Sequence, residues 1–163
     1  MTSAAAGVPS DQRQSIVSLA VALGAEIVPG LSRAEIELAR TARPVSGAEL
    51  REYRDQIRDG LDPLGSALME LRSADVRRKL GATYTPPAIV KAMLAWAFDR
   101  PRPDRIVDPG VGSARFLVAA GRTFRKAELV GVEIDALAAL IARANLATNG
   151  LAARSVVTLA DYR

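Results

Sequence analysis

Apolar positions recur at helical spacing from Gln12 to about Val28, which predicts a helix ended by Pro29-Gly30. In "LSRAEIELARTARP" the pattern restarts. Ser32 stands three residues ahead of Glu35, the arrangement of a capping box, and Pro44 closes a short second helix. Ser46 and Glu49 repeat that design in "SGAELREYRDQIRDG", and Gly60 stops it. "DPLGSALMELRS" and "SADVRRKLG" read as two further short helices, the latter stopped by Gly81. Residues 1–80 are therefore expected to form an all-helical region. Its first ten residues, small and polar with a proline, are expected to be disordered.

Beyond Gly81, helices alternate with short apolar runs. "ATYTPPAIVKAMLAWAFDR" predicts an extended approach into a helix that starts near Pro87, with Ile89, Val90, Met93, Leu94 and Trp96 on or near its buried side. A short strand follows and ends at Asp108. "GSARFLVAAGRTF" is a helix and "AELVGVEI" a strand ending at Glu133. "DALAALIARANLATNG" is a helix with Asp135 as N-cap and Gly150 as stop, and "RSVVTLADYR" is a third strand. This alternation predicts a doubly wound parallel α/β sheet over residues 81–163.

Composition narrows the chemistry. The 163 residues include no cysteine and no histidine, so thiol nucleophiles, disulfides, the usual zinc ligands and any imidazole base are absent. The 22 basic residues against 18 acidic ones leave a net charge of +4, compatible with an anionic partner without demanding one. The apolar run Ile16 to Val28 is shorter than the roughly 20 residues of a membrane span, carries Glu26 and lacks a basic leader, so it reads as a packing helix of a cytoplasmic protein.

The chemistry concentrates in "VDPGVGSARFL", Val107 to Leu117, which lies between the first strand and its helix. Ligands of such sheets sit outside the carboxyl ends of the strands. Gly110, Gly112 and Ala114 allow a tight turn and close approach to a ligand. A dinucleotide fingerprint counted from Gly110 would need a third glycine where Arg115 stands, and no Gly-Lys-Ser/Thr follows for a phosphate loop. Asp108 at the strand end repels phosphates and attracts an ammonium group. Glu133 at the second strand end suits a ribose diol. An amino group, a carboxylate and a ribose without phosphate fit S-adenosylmethionine. Plainer readings stand beside these: Asp108 as a helix cap, Glu133 as a solvated strand end, Tyr84 as a core residue, and Arg77, Arg78 and Lys79 as a solvated helix face rather than a DNA contact. Trp96 is taken as core.

"GATYTPPAIVKAML", "IVDPGVGSARFLVAA" and "LVGVEIDALAALIARANL" together resemble the amino-terminal half of an adenine-specific N6 DNA methyltransferase of the restriction–modification type. Gly110 stands where that family has Ala, and Ala114 where it has its last Gly. The resemblance covers residues 81–163 and implies a Rossmann-like S-adenosylmethionine-dependent methyltransferase fold, present in its first three strands. It implies that Tyr84, Thr85 and Pro86 help close the pocket over the methionine part, and that Asp108, Gly110 and Gly112 line that part. Glu133 would hold the ribose, Ile134 pack on the adenine, and Asp161 hydrogen-bond the adenine amino group.

The family's catalytic Asn/Asp/Ser-Pro-Pro-aromatic tetrapeptide is not in the sequence; Pro86-Pro87 precedes the first strand and is followed by Ala88. No catalytic residue is therefore assigned. The family's sheet order, 3-2-1-4-5-7-6, implies that strand one is left as an open edge. A fragment, or a subunit completed by a second chain or by self-association, is expected, with DNA as the partner of the complete protein. The alternatives are a non-catalytic assembly module that binds a partner subunit or DNA, and a methyltransferase acting on RNA or protein.

Overall fold

A computed structural model describes residues 10–72 and 85–162. The disorder expected before Ser10, the helix expected around Ser73–Gly81, the basic run Arg77–Lys79 and Tyr84 lie outside the described residues. Ser10 itself already belongs to a helix. The elements are α1 (Ser10–Ala22), a 3-10 turn (Ala25–Ile27), α2 (Arg33–Ala39), α3 (Gly47–Arg58), α4 (Pro63–Leu71), α5 (Pro87–Phe98), β1 (Arg105–Asp108), α6 (Arg115–Thr123), β2 (Glu128–Glu133), α7 (Ala136–Thr148), a 3-10 turn (Ala152–Arg154) and β3 (Ser155–Leu159).

The strands form one parallel sheet in the order β1-β2-β3. Their alternation sends Ile106, Leu129, Val157 and Leu159 toward α6 and α7, where they pack with Leu117, Ala139, Ala142 and Leu146. The opposite face carries Val107, Val130 and Val156 in one cross-strand row. Val107 and Val156 are exposed, because no described element covers that face.

Helix α7 is buried along nearly its whole length. One side meets the sheet. The other packs Leu137, Leu140, Ile141 and Ala144 into a second cluster with Ile16, Leu19, Leu23, Ile57, Leu64 and Leu68 from α1, α3 and α4. The apolar core thus continues from the helices before residue 80 into the α/β layer. No described helix is long and apolar enough to cross a membrane.

The local signals act as expected at several ends. Ser32 and Glu35 close a full capping box, Ser46 accepts from the Glu49 N–H, and Asp135 accepts from the Ala138 N–H. The first helix is shorter than its periodicity predicts. Gly24, at φ 95°, turns the chain out of α1, so the residues up to Val28 form a separate 3-10 turn. Pro29 and Gly30 do not end that helix. They lie along the outer edge of β3, where Pro29 O accepts from the Val157 N–H and a Cβ on Gly30 would fall 2.4 Å from Val157 O.

Helix α5 corrects the expected buried side. Val90 and Leu94 pack on Ala120, Phe124 and Ala127. Ile89, Met93 and Trp96 form a second apolar row that faces outward, with Trp96 63% exposed and the Arg100 guanidinium stacked 3.5 Å over its ring. One neighbouring helix covers only one row of α5, so Trp96 is not core.

Candidate functional site

Strand β1 ends at Asp108 and the chain enters the glycine loop at the carboxyl edge of the sheet. The loop is tied to β2 at three points. The Val111 N–H donates to Val132 O at 3.0 Å, and the Gly112 N–H donates to Glu133 Oε2 at 2.8 Å. The Val111 side chain beds on Gly131, where a Cβ would come within 3.0–3.1 Å of it. A glycine in mid-strand is a signal for such a close approach, and the sequence reading passed over it.

The small residues of the loop have different reasons. Gly112 has φ 53° and Ala114 φ 66°, both in the left-handed region. Ala114 holds that shape through its N–H to Val111 O at 2.8 Å, at a backbone cost of about 1–2 kcal/mol that a glycine would not carry. Gly110 is unforced: an added Cβ would meet nothing nearer than Tyr162 Cε1 at 3.9 Å, in keeping with the family's Ala.

Glu133 is no loose strand end. Oε2 takes the Gly112 N–H, while Oε1 takes the N–H groups of Ile134 at 2.9 Å and Asp135 at 3.1 Å. Glu133 O also accepts from the Ala160 N–H, which brings the exposed Asp161 beside the same edge. The side chain of Ile134 is exposed next to it. Asp108 is not the cap of α6, whose N-cap is Ala114. Burial, and then the negative Glu133, push its carboxyl up to about 6, opposed by a hydrogen bond from the Gly110 N–H.

That shift has a consequence for stability. The native chain keeps a proton on Asp108 over the window from about pH 4 to about 6, where the unfolded chain releases it. The residue's favourable contribution is complete below that window and is lost as pH rises through about 6. Asp108→Asn is expected to stabilise the unliganded chain at pH 7 by about 1–2 kcal/mol, after discounting for partial exposure, and to change nothing at pH 3.5. Thermal unfolding at the two pH values checks this; equal shifts at both would contradict it.

Asp108, Gly110, Gly112, Glu133, Ile134 and Asp161 are brought to one edge. Thr85 instead borders a cavity of about 1080 Å³ on the α4–α5 side of the loop, shared with Asp62, Ser113 and Arg115, while Pro86 caps α5. Asp62 was read only as part of a helix start. In the structure its buried carboxylate meets Ser113 and Arg115 of the loop as well as Asn145 of α7. An Asp before Pro63 signals an N-cap; nothing local signals the contacts across more than fifty residues.

A parallel sheet with a glycine loop after its first strand and two acidic strand ends at its carboxyl edge defines an α/β chain. The sequence profile of the N-6 DNA methylases matches residues 66–161, and the chain belongs to that family. Over 153 residues it is 43% identical to the type II methyltransferase M.XamI of Xanthomonas campestris pv. amaranthicola, an alignment covering 92% of this chain and 28% of that relative. The chain therefore spans little more than a quarter of the length of the curated relative it matches. No solved structure gives a significant match.

Proposed function

We propose that this chain carries the S-adenosylmethionine-binding part of a DNA adenine-N6 methyltransferase. Residues 81–163 are the amino-terminal half of a Rossmann-like methyltransferase domain, preceded by the region that holds α1–α4. The observation that carries the reading is the Asp108–Glu133 pair of strand-end acids flanking the glycine loop, a charge arrangement that repels phosphate, in a chain of the N-6 DNA methylase family.

The donor set suits that cofactor. Asp108, once ionised, pairs with an ammonium group, and Gly110 and Gly112 leave room for the methionine part. A carboxylate offers about four acceptor positions. Three on Glu133 are taken by backbone N–H groups, so one ribose hydroxyl binds directly and a second displaces one of the two N–H groups sharing Oε1. Ile134 presents an apolar surface to the adenine and Asp161 an acceptor to its amino group. Thr85 and Pro86 stand at the start of α5 on the other side of the loop, so the closing role that the resemblance gives Tyr84, Thr85 and Pro86 is left out of this site. S-adenosylmethionine, when bound, supplies an electrophilic sulfonium methyl group. The work left to the protein is alignment and hydrogen bonding of the target amine, which needs neither His nor Cys. The motif that would hold a flipped adenine does not occur among these 163 residues, and DNA is the proposed partner of the complete protein.

Calorimetric titration of the chain with S-adenosylmethionine tests the reading. One-to-one binding is expected, about tenfold weaker at pH 5 than at pH 7, because Asp108 must lose a proton held with a pKa of about 6. A folded chain that binds nothing, or binds equally at both pH values, overturns it.

A second reading has its own observation. The outer edge of β1, the sheet row with Val107 and Val156 exposed, and the Ile89–Met93–Trp96 row of α5 are apolar features uncovered among the described residues and suited to completion by another chain or a second copy. In that case this chain is an assembly module, and sedimentation of the purified chain reports a stable oligomer that does not depend on cofactor.

A further inference from the structure

The Asp62 carboxylate does more than its own helix requires. Capping α4 uses one oxygen: Oδ1 accepts from the Gly65 N–H at 2.9 Å. The same oxygen takes Asn145 Nδ2 at 3.0 Å, and that amide nitrogen also donates to Ser113 O at 2.8 Å. Oδ2 serves the glycine loop and the start of α6, accepting from Ser113 Oγ at 2.5 Å and from Arg115 Nε at 2.6 Å. Arg115 Nη2 reaches Ser66 Oγ, in the same first turn of α4, at 3.2 Å. The Asp62 side chain is 6% exposed, so these bonds are shielded from water.

The location matters because Ser113 sits between the two left-handed residues, Gly112 and Ala114. A loop holding two such conformations in succession needs external bonds to keep them. Glu133 grips it from the sheet side through the Gly112 N–H. From the other side the grip comes from a helix outside the α/β layer. Arg72, one residue past α4, makes a second bridge, 2.8 Å to Asp135, the N-cap of α7 two residues after Glu133.

We infer that Asp62 is the positioning residue of the glycine loop, so that the helical region forms one half of the support of the cofactor site. Any effect on cofactor affinity rests on the function proposed above; the effect on the loop does not. In Asp62→Asn the two oxygens are no longer equivalent. An amide nitrogen facing the loop opposes the Arg115 N–H, and an amide nitrogen facing the cap opposes Gly65 and Asn145.

The test is amide hydrogen exchange of the unliganded chain, compared among wild type, Asp62→Asn and Ser46→Ala, which removes the cap of α3. Exchange across Gly112–Phe116 is expected to rise at least about tenfold in Asp62→Asn, the loss of one charge-assisted bond, and to stay near wild type in Ser46→Ala. Should Asp62→Asn not fold, Ser113→Ala removes the Oδ2 bond from the loop side and is expected to give a smaller rise in the same amides. Unchanged loop exchange in the folded variant, or an equal rise in Ser46→Ala, overturns the inference. A parallel titration with S-adenosylmethionine separates the two claims. Loss of binding in Glu133→Ala with wild-type binding in Asp62→Asn counts against Asp62 alone. No binding by wild type counts against the cofactor reading, while the exchange result still decides Asp62.

Discussion

Glu133→Ala is expected to weaken S-adenosylmethionine binding by at least about a hundredfold and to loosen the loop even without cofactor, since bonds to a charged acceptor contribute about 1.5–3 kcal/mol each. The substitution removes the direct partner of the ribose. It also strands the N–H groups of Gly112, Ile134 and Asp135, which the carboxylate holds together. In the proposed site the two losses fall on the same ligand, because Gly112 is assigned there to the surface that receives the methionine part. Glu133→Gln is no milder substitute: every N–H around the carboxylate is a donor, and an amide NH₂ in place of either oxygen opposes at least one of them. Calorimetric titration well below the unfolding temperature checks this. Wild-type affinity in the alanine variant would mean that the ligand sits elsewhere.

Glu35→Ala is expected to destabilise the chain by about 3–5 kcal/mol, because it leaves a charged guanidinium uncompensated in the core. Arg143 and Glu35 are both 0% exposed and joined at 2.7 Å. Arg143 spends its remaining donors on Val28 O, Pro29 O and Val157 O. Glu35 also closes the capping box of α2 through the Ser32 N–H. Total stabilities of about 5–15 kcal/mol make such a loss visible as a large shift of the urea midpoint. An apolar pair often replaces a buried ion pair without loss. Here Glu35→Leu with Arg143→Met is expected to recover only part of the stability, since Val28 O and Val157 O lose the guanidinium donors and Pro29 O keeps only the Val157 N–H. Full recovery would show that those carbonyls find other partners.

How much of this could be read from the sequence follows from how far each signal reaches. Ser32, Ser46, Asp135 and Gly150 act within three or four residues of themselves, and their helices begin or end where the pattern places them. Asp108 and Glu133 were readable as strand ends because apolar runs stop at them. The break at Gly24 was hidden by an apolar run that continues through it. Trp96 was misassigned because periodicity reports that a face is apolar and says nothing of what covers it. Glu35 was seen as a cap and Asp62 as part of a helix start. Their second roles depend on partners 108 and 51 residues away, Arg143 and Ser113, which only the packing of α2 and α4 around α7 brings near.

Pro29 and Gly30 lie against Val157, while β1 has a partner on one side only among the described residues. Among the described residues the sheet therefore keeps one edge sealed and one open. Growth of such a sheet is polar: strands that extend it enter outward from Arg105–Asp108, and the β3 side is already occupied by the chain's own Pro29 and Gly30.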